Sequence, residues 1–241
     1  MALAGAAHAA TVVGNYGTLG ADGDVTAPPS GFLYGYVSTG GGVDGQGQIS
    51  GVGGSNGSSF QSDPFVAGVG DTLSFYFNYV TSDGSGFADY GWAELRKAGD
   101  DSHVAWLFTG RTQPSGDIAP GFGLPTLDAT LNPATSGIIG GAPVWSPLGG
   151  DSDSCFADGC GYTGWIESTY NILVAETYTL NFGVSNWSDT DFNSGLAFAG
   201  ARIGNTQIQV NDGGNSIPEP ASMAVLGMGL LGLGLNRRRR V

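Results

Sequence analysis

The sequence predicts an all-β protein: an antiparallel, jelly-roll-like β-sandwich with long Gly/Pro-rich loops, followed by a single C-terminal transmembrane helix. The first observation is the alternation in "GDTLSFYFNYVTSDG", which places Leu73, Phe75, Phe77 and Tyr79 on one face of a strand. The second is that no long stretch before the C-terminal tail has a helical period. The third is the 44 glycines among 241 residues, which lack the three-residue period of collagen and separate the strand-like runs.

The N-terminal residues, "MALAGAAHAATVV", predict part of a signal peptide. Ala7, His8 and Ala9 have the A-x-A form of a cleavage site, and cleavage there would leave Ala10 as the first mature residue. A basic n-region and a full apolar h-region are missing, so we expect the natural start to lie upstream. The alternative is an ordinary alanine-rich N-terminus. Residues 1–9 are therefore assigned to a partial signal peptide.

Residues 10–216 are predicted to form one β-sandwich domain. With 41% hydrophobic residues, the chain can bury one substantial core. Further short strand-like runs are bounded by Gly, Asp, Ser or Pro: "YGWAELRK", "HVAWLFTGR", "GWIESTYNI", "TYTLNFGVSNW" and "LAFAGARIG". Many short strands with turns between them are typical of a sandwich.

An irregular segment from Gln113 to Gly161 interrupts these strands. Its prolines and glycines oppose central strands, so it predicts long loops over the sandwich with one edge strand at "SGIIGG". Loops of this length are uncommon unless something pins them. We expect Trp145 and a disulfide to do so.

The disulfide is predicted between Cys155 and Cys160, which are separated by four turn-forming residues in "SCFADGCG". A zinc site would need further soft ligands, and after signal removal only His103 remains as an imidazole. Thioredoxin-like chemistry would need a C-x-x-C at a helix start. So short a bridge rigidifies its loop locally rather than the whole fold.

Charge in this chain is sparse and asymmetric. There are 21 acidic and 8 basic residues; setting aside Glu219 and the four arginines near the C-terminus leaves 20 acidic and 4 basic residues, a net charge of about −16. Such a body repels phosphate backbones, which argues against nucleic-acid binding.

The C-terminal tail, "IPEPASMAVLGMGLLGLGLNRRRRV", has the order acid, apolar run, arginine block. A helix from Ala221 to Leu235 would be about 22 Å long, short of the roughly 30 Å hydrocarbon core, but flanking residues and snorkelling arginines extend its span. The arginine block would stay in the cytoplasm and place the body outside. Pro218 and Pro220 keep the junction extended and accessible to a processing enzyme.

This tail resembles the PEP-CTERM sorting signal of exopolysaccharide-producing Gram-negative bacteria. The resemblance implies recognition by a membrane-embedded, transpeptidase-like exosortase that cuts near the PEP motif. The matching positions are Pro218, Glu219 and Pro220 for the motif, 221–235 for the membrane segment, and Arg237, Arg238, Arg239 and Arg240 for the cytoplasmic stop. Residues 217–241 are therefore assigned as the sorting and anchor segment. An ordinary C-terminal anchor is the alternative.

The body also resembles a group of exported proteins that carry such tails and have no established activity. The runs that carry the resemblance are "LSFYFNYVTSDGSGFADYGWAEL", "WSPLGGDSDSCFADGCGYTGW" and "NWSDTDFNSGLAFAGARIG". The resemblance implies an exported β-rich domain and no chemistry. We expect an inner-membrane-anchored precursor and then a cell-surface or extracellular protein.

Two kinds of ligand site are candidates in the body. "DTDFNSG" offers Asp189, Asp191 and Asn193 at alternate positions, which suits a structural Ca²⁺, although the glutamate that completes an EF-hand is missing and Asx turns are the alternative. No other cofactor is expected. Trp145 and Trp187 lie in Pro/Gly and Asn/Asp contexts and are candidates for glycan binding, whereas Trp92 and Trp106 lie in strand patterns typical of a core.

The body is expected to be non-catalytic. A Ser/His/Asp triad would have to use His103, and no G-x-S-x-G elbow presents a serine. We therefore expect a structural role in the exopolysaccharide or biofilm layer, with exosortase and exopolysaccharide as partners and the inner membrane before processing. The alternative is a carbohydrate-binding module, with or without Ca²⁺. A polysaccharide-degrading enzyme is the less favoured alternative.

Overall fold

The computed structural model describes residues 10–210, which form eighteen β-strands and two short 3₁₀ helices, Ser85–Phe87 and Ser146–Asp151. The strands in chain order are β1 (Thr11–Val13), β2 (Asn15–Leu19), β3 (Tyr34–Ser38), β4 (Val43–Asp44), β5 (Asn56–Gln61), β6 (Phe65–Ala67), β7 (Thr72–Thr81), β8 (Tyr90–Lys97), β9 (His103–Arg111), β10 (Asp117–Ala119), β11 (Thr130–Asn132), β12 (Ser136–Gly137), β13 (Ile139–Gly140), β14 (Gly161–Tyr162), β15 (Ile166–Asn171), β16 (Glu176–Ser185), β17 (Ser194–Ile203) and β18 (Thr206–Gln207).

The strands of residues 10–210 pair antiparallel in two large sheets, which confirms the all-β, antiparallel prediction. The seven-stranded sheet has the order β1-β5-β16-β8-β9, with β4 beside β5 and β6 beside β16. The nine-stranded sheet has the order β11-β15-β7-β17-β3-β2, with β14 beside β7, β13 beside β14 and β18 beside β17. β10 and β12 form a third, two-stranded sheet, and Ile118 and Ala119 of β10 belong to the core. That the connections follow a jelly roll stays a prediction.

An aromatic core lies between the inner faces of the two large sheets. Phe182 on β16 and Phe198 on β17 stack with ring centroids 4.0 Å apart, and each belongs to a different sheet. Phe77 on β7 lies 3.6 Å from Phe108 on β9, again across the gap. The four residues predicted to share a face of β7, Leu73, Phe75, Phe77 and Tyr79, are all buried. The alternation in the sequence therefore located the core face of this strand correctly, and the two sheets form a sandwich-like arrangement.

A second apolar cluster covers the outer face of the nine-stranded sheet. It contains Val25, Tyr34, Val80, Trp145 and Leu148, the last two from the irregular segment between β9 and β15. This segment lies over the sheet as predicted, and "SGIIGG" forms only the short strands β12 and β13. Trp145 pins the segment, because its ring is buried and its indole Nε1 donates to Tyr34 Oη at 2.9 Å.

Cys155 and Cys160 form a disulfide, which confirms that prediction. The bridge closes the loop between the second 3₁₀ helix and β14, and Cys160 is buried while Cys155 is exposed.

In residues 10–210 no helix is long and apolar enough to cross a bilayer. The predicted membrane segment at 221–235, the sorting residues 218–220 and 237–240, and the partial signal peptide at 1–9 lie outside the described residues.

Candidate functional site

The outer face of the seven-stranded sheet carries aromatic and polar side chains in register. On β8 the sequence alternates strictly: Ala93 and Leu95 are fully buried in the core, so Trp92, Glu94 and Arg96 project from the opposite face. Because side chains alternate along a strand, the indole, the carboxylate and the guanidinium lie in one row on this face.

The strands on either side of β8 extend this row across the sheet. On β9, Trp106 is paired with Glu94, and on β16, Asn181 is paired with Glu94 from the other side. Gln61 on β5 is in turn paired with Asn181. Paired residues of neighbouring strands point to the same face, so indole, carboxylate and amide groups lie side by side.

Trp92 lies flat across the sheet because the strand beside it has no side chain at the paired position. That position is Gly183 on β16, and a Cβ placed there would lie only 2.3 Å from Trp92 Cε2. The indole Nε1 donates to the carbonyl of Gly47 at 2.7 Å. The loop at 45–54 is thereby held over one end of the face. Tyr90 reinforces it, since its hydroxyl donates to the Gly53 carbonyl at 2.7 Å.

A charged network fixes the polar side chains at the other end. Glu94 is only 2% exposed, and its two oxygens lie 2.8 Å from Arg96 Nε and 2.7 Å from His103 Nδ1. Arg96 also contacts the Asp101 carboxylate at 2.8 Å. His103 is half exposed, and its ring lies 5.1 Å from that of Trp106. A buried carboxylate with two cationic or hydrogen-bonding partners is a rigid anchor for the rings around it.

Two adjoining clefts follow this face. One, of about 330 Å³, lies between the 45–54 loop and β9, and its lining includes Gln48, Ile49, Ser50, Trp92, Glu94, Arg96, His103, Trp106 and Pro125. The other, of about 290 Å³, lies towards β1, and its lining includes Thr11, Gln46, Gln48, Ser59, Gln61, Trp92, Arg96, Asp101 and Asn181. Gln48, Trp92 and Arg96 line both. Trp92 is buried and only borders the clefts, whereas Trp106 is half-buried. A half-buried indole ring beside amide and hydroxyl groups can hold a ring that is apolar on its faces and polar at its edge.

The two tryptophans that the sequence suggested for glycan binding have different surroundings. Trp145 is not a glycan-binding residue: it is fully buried against the outer face of the nine-stranded sheet and has no open ring face. Trp187 is half-buried beside a third cluster, formed by Ile49, Tyr90 and Trp92, and the Arg111 guanidinium lies 5.0 Å from its ring centroid. Arg111 thus occupies one face of that ring.

The candidate calcium residues do not form a ready ligand set. Asp189 Oδ1 accepts from the Asp191 backbone N at 3.1 Å, which is the Asx-turn alternative. Asn193 was predicted as a calcium ligand, but its amide is already bonded within the protein. Its Nδ2 donates to Asp151 Oδ2 at 2.6 Å, and its Oδ1 accepts from Thr39 Oγ1 at 3.2 Å. Within residues 10–210 no three Asp, Glu, His or Cys side chains already converge as a metal site.

Two buried aspartates, Asp83 and Asp89, lie on the loop between β7 and β8, at the same end of the molecule as Asp189 and Asp191. Burial, with a smaller contribution from repulsion by Asp189, Asp191 and Asp151, raises the pKa of Asp83 to about 7. Burial also raises the pKa of Asp89 well above its usual value. Asp89 is satisfied by the Trp187 backbone N at 2.8 Å and Ser194 Oγ at 2.7 Å, so it holds the loop that carries Asp189.

The sequence did contain a signal for the cleft, although it led to a different prediction. Trp92, Glu94 and Arg96 are spaced by two, and two of them are charged, which is the pattern of an open face. Trp92 and Trp106 were expected in the core because of their strand patterns; Trp92 is buried, as expected, whereas Trp106 is half-buried. The pairing of Trp106 with Glu94 is a contact between strands, and no single strand encodes it.

Comparison with known proteins identifies the tail. Residues 216–240 match the family model of the PEP-CTERM protein-sorting motif, which confirms the prediction for this segment. A search of curated proteins finds no match.

Two solved structures resemble parts of this chain, both adhesin domains of the Lys-gingipain of Porphyromonas gingivalis W83. The K3 cleaved adhesin domain is 13% identical, with 77% of this chain and 91% of that chain covered and a TM-score of 0.32. The K1 domain is 12% identical, with 85% of this chain and all of that chain covered and a TM-score of 0.32. At these scores the two similarities carry no argument about this chain.

Proposed function

Because this chain carries a PEP-CTERM sorting motif, we propose that it is an exported, non-catalytic protein whose β-rich body binds extracellular polysaccharide at the outer face of the seven-stranded sheet. The motif indicates exosortase-dependent sorting and a surface or extracellular location. The proposal adds an inner-membrane-anchored precursor, a polysaccharide ligand and a place in the exopolysaccharide layer.

One observation carries the choice of ligand: Trp106 is half-buried next to Trp92 in a cleft edged by amides. The two rings meet edge to face with centroids 6.0 Å apart. Gln48, Gln61 and Asn181 add amide groups to the lining of the clefts. A pyranose ring has apolar faces that stack on an indole and hydroxyls at its rim that hydrogen-bond to amides.

The charges in the cleft favour a neutral polysaccharide. Its two basic side chains, Arg96 and His103, both contact Glu94, and Arg96 also contacts Asp101. An acidic polymer would therefore meet a body of net negative charge without an unpaired cation from these two residues. Binding is expected to change little when NaCl is raised from low to high concentration, because screened surface charge is not the driving force.

The carboxylate of the cleft favours binding over hydrolysis. Glu94 is held by two partners, and glycoside hydrolysis needs a second carboxyl group across the scissile bond. Asp101 is the nearest further acid in the network, and Arg96 holds it by an ion pair. We therefore propose that the site retains the polymer without cutting it.

The test is retention of the purified full chain, in mild detergent, on extracellular polysaccharide from the producing strain. Trp106→Ala is expected to weaken retention about tenfold or more, because loss of one stacked ring of about 1.4 kcal/mol has that effect. Trp165→Ala is the matched control, since Trp165 is also half-buried but lies beside the cluster on the other sheet.

Three results would contradict the proposal. Equal retention of Trp106→Ala and wild type would move binding away from this cleft. Absence of retention on the polymer would leave the structural role as the better account. New reducing ends during incubation would mean that the protein is an enzyme.

A further inference from the structure

The backbone nitrogen of Ala10 lies against a carboxylate. It donates to Asp63 Oδ1 at 2.7 Å, and the bond is partly shielded from solvent. The Ala10 side chain packs against the core, so an apolar and a polar contact both hold this residue. Asp63 is half-buried, and none of the ion pairs found within residues 10–210 involves it. A cationic donor at the Ala10 position would therefore add Coulomb attraction to the hydrogen bond.

The backbone that carries the Asp63 carboxylate is fixed on both sides. On one side Ser62 is 1% exposed, and its backbone N donates to the Leu180 carbonyl at 2.8 Å. Ser62 Oγ in turn accepts from the Leu180 backbone N at 3.0 Å. On the other side Pro64 restricts both its own backbone and that of the residue before it. The acceptor is thus held in place before any cationic donor arrives.

The strand that follows Ala10 is short and lies at the edge of its sheet. β1 has three residues, and among the described strands it pairs with β5 alone. Thr11 and Val12 are exposed, so few buried contacts prevent fraying of this strand. Thr11 also lines the cleft of about 290 Å³. A firmly held Ala10 would therefore keep both β1 and one wall of the cleft in place.

The nitrogen that contacts Asp63 is the atom that signal cleavage changes. Ala7, His8 and Ala9 have the A-x-A form of a cleavage site, although they lie outside the described residues. Hydrolysis of the peptide bond between Ala9 and Ala10 consumes one water, leaves a carboxylate on Ala9 and converts the neutral Ala10 nitrogen into an α-ammonium group. The pKa of an α-amino group is about 7.7–8.0, so this group is positively charged at lower pH.

From this arrangement we propose that Asp63 is the binding site for the new N-terminus: removal of the signal peptide creates an ion pair between the Ala10 α-ammonium group and the Asp63 carboxylate, which locks β1 onto β5. The uncleaved chain has only the hydrogen bond from a neutral amide at this position. The inference rests on the proposed export, because signal cleavage takes place in an exported chain. The mature body is then more stable than its precursor.

The experiment compares three forms of the chain in mild detergent at pH 6.5, where an aspartate and an α-amine are both charged. They are residues 1–241, residues 10–241 with a free α-amine, and residues 10–241 with that amine acetylated. Acetylation is the matched control, because it keeps the Ala10 N–H as a donor and removes only the charge. The free-amine form is expected to unfold about 2–4 °C above the other two, the shift of one ion pair in a chain of this size.

Asp63→Asn separates the ion pair from other effects of the N-terminus. An asparagine still accepts the hydrogen bond but has no charge, so the difference between the free-amine and acetylated forms should disappear. Asp117→Asn, at an exposed strand end, should retain that difference. If Asp63→Asn does not fold, hydrogen–deuterium exchange of the wild-type forms takes its place, and β1 should exchange more slowly in the free-amine form.

Three outcomes overturn the proposal. The first is equal unfolding midpoints and equal exchange of β1 in the free-amine and acetylated forms. The second is a difference between these forms that Asp63→Asn retains. The third is a released protein whose first residue, read by mass spectrometry, is not Ala10. Polysaccharide retention is measured on its own, and a failure of export would appear in cell fractions rather than in this comparison of purified forms, so the proposed function is tested separately.

Discussion

At the scale of single residues, two tryptophans on opposite faces of the molecule are positioned in the same way, each packed over a strand glycine. Trp92 lies over Gly183 on the seven-stranded sheet, and Trp145 lies over Gly195 on the nine-stranded sheet, where a Cβ would come within 2.4 Å of Trp145 Cζ3. The two differ in what covers them. Trp145 is sealed by its own segment, whereas Trp92 borders two clefts.

Glu94 is the residue whose charge matters most for the stability of the cleft. Glu94→Gln is expected to lower the free energy of unfolding by about 1–2 kcal/mol, because a buried acceptor of two bonds loses its charge while Arg96 and His103 can still turn to water. Equilibrium urea denaturation measures this, with Glu176→Gln at an exposed position as control. Equal midpoints for the two variants would mean that the network contributes nothing to folding.

At the scale of elements, the face of the seven-stranded sheet depends on close contact between β8 and β16. Gly183 has no side chain, so the ring of Trp92 rests against the strand, where it borders both clefts. The 45–54 loop then closes over the ring through the bond from Trp92 Nε1 to the Gly47 carbonyl. Strand, ring and loop therefore form one unit.

Gly183→Ala is expected to disturb this unit without altering the backbone. The new Cβ would displace Trp92, costing about 1–3 kcal/mol of stability and reducing polysaccharide retention. Gly99→Ala is the control, because a Cβ at Gly99 meets nothing within 4 Å. Thermal unfolding and the retention assay on both variants check the prediction, and undiminished retention by Gly183→Ala would show that the position of Trp92 is irrelevant to binding.

The disulfide acts at the same scale. Replacing Cys155 and Cys160 together by Ser is expected to cost about 2 kcal/mol or less, because the closed loop is short and its entropy in the unfolded chain is small. Urea denaturation of the double variant measures this, and a thiol assay on wild type should find no free cysteine. Failure of the double variant to fold would mean that the bridge supports the whole domain.

The sequence patterns predicted the positions of strands more accurately than the burial of individual side chains in the loops. The runs at β8 and β9 were predicted to their ends, because period two and flanking turn residues are local signals. The sequence left Trp145 either as a residue that pins the irregular segment or as a glycan-binding candidate, and only the fold, which packs it onto β17, decides for the first, because no local pattern encodes that contact. Asp83 was missed for the same reason: in the sequence it is one turn aspartate among many.

At the scale of the whole molecule, the C-terminal tail carries the sorting motif and the body carries the candidate binding site. The sorting motif at 216–240 assigns the protein to exosortase processing, and the body before it is strongly acidic. An acidic, glycine-rich surface keeps an exported protein soluble and repels other polyanions. Under the proposed function, retention in an extracellular layer would then depend on specific contacts such as those of the cleft.

The role of the tail in sorting is tested by a substitution and a deletion within it. Glu219→Gln, or deletion of residues 237–240, is expected to leave the full-length precursor in the membrane fraction, because the motif or the cytoplasmic stop is lost. Immunoblots of membrane and medium measure this, with Glu176→Gln in the body as control. Normal release of both variants would show that processing does not depend on the motif.

The central claim, that polysaccharide binds the outer face of the seven-stranded sheet, is tested most directly by hydrogen–deuterium exchange of the full chain with and without the polymer. We predict slower exchange in the 45–54 loop and in β9, the edge strand that carries His103 and Trp106. Protection confined to other segments, such as residues 146–160, or bound polymer without any protection of the loop and β9, would contradict the account.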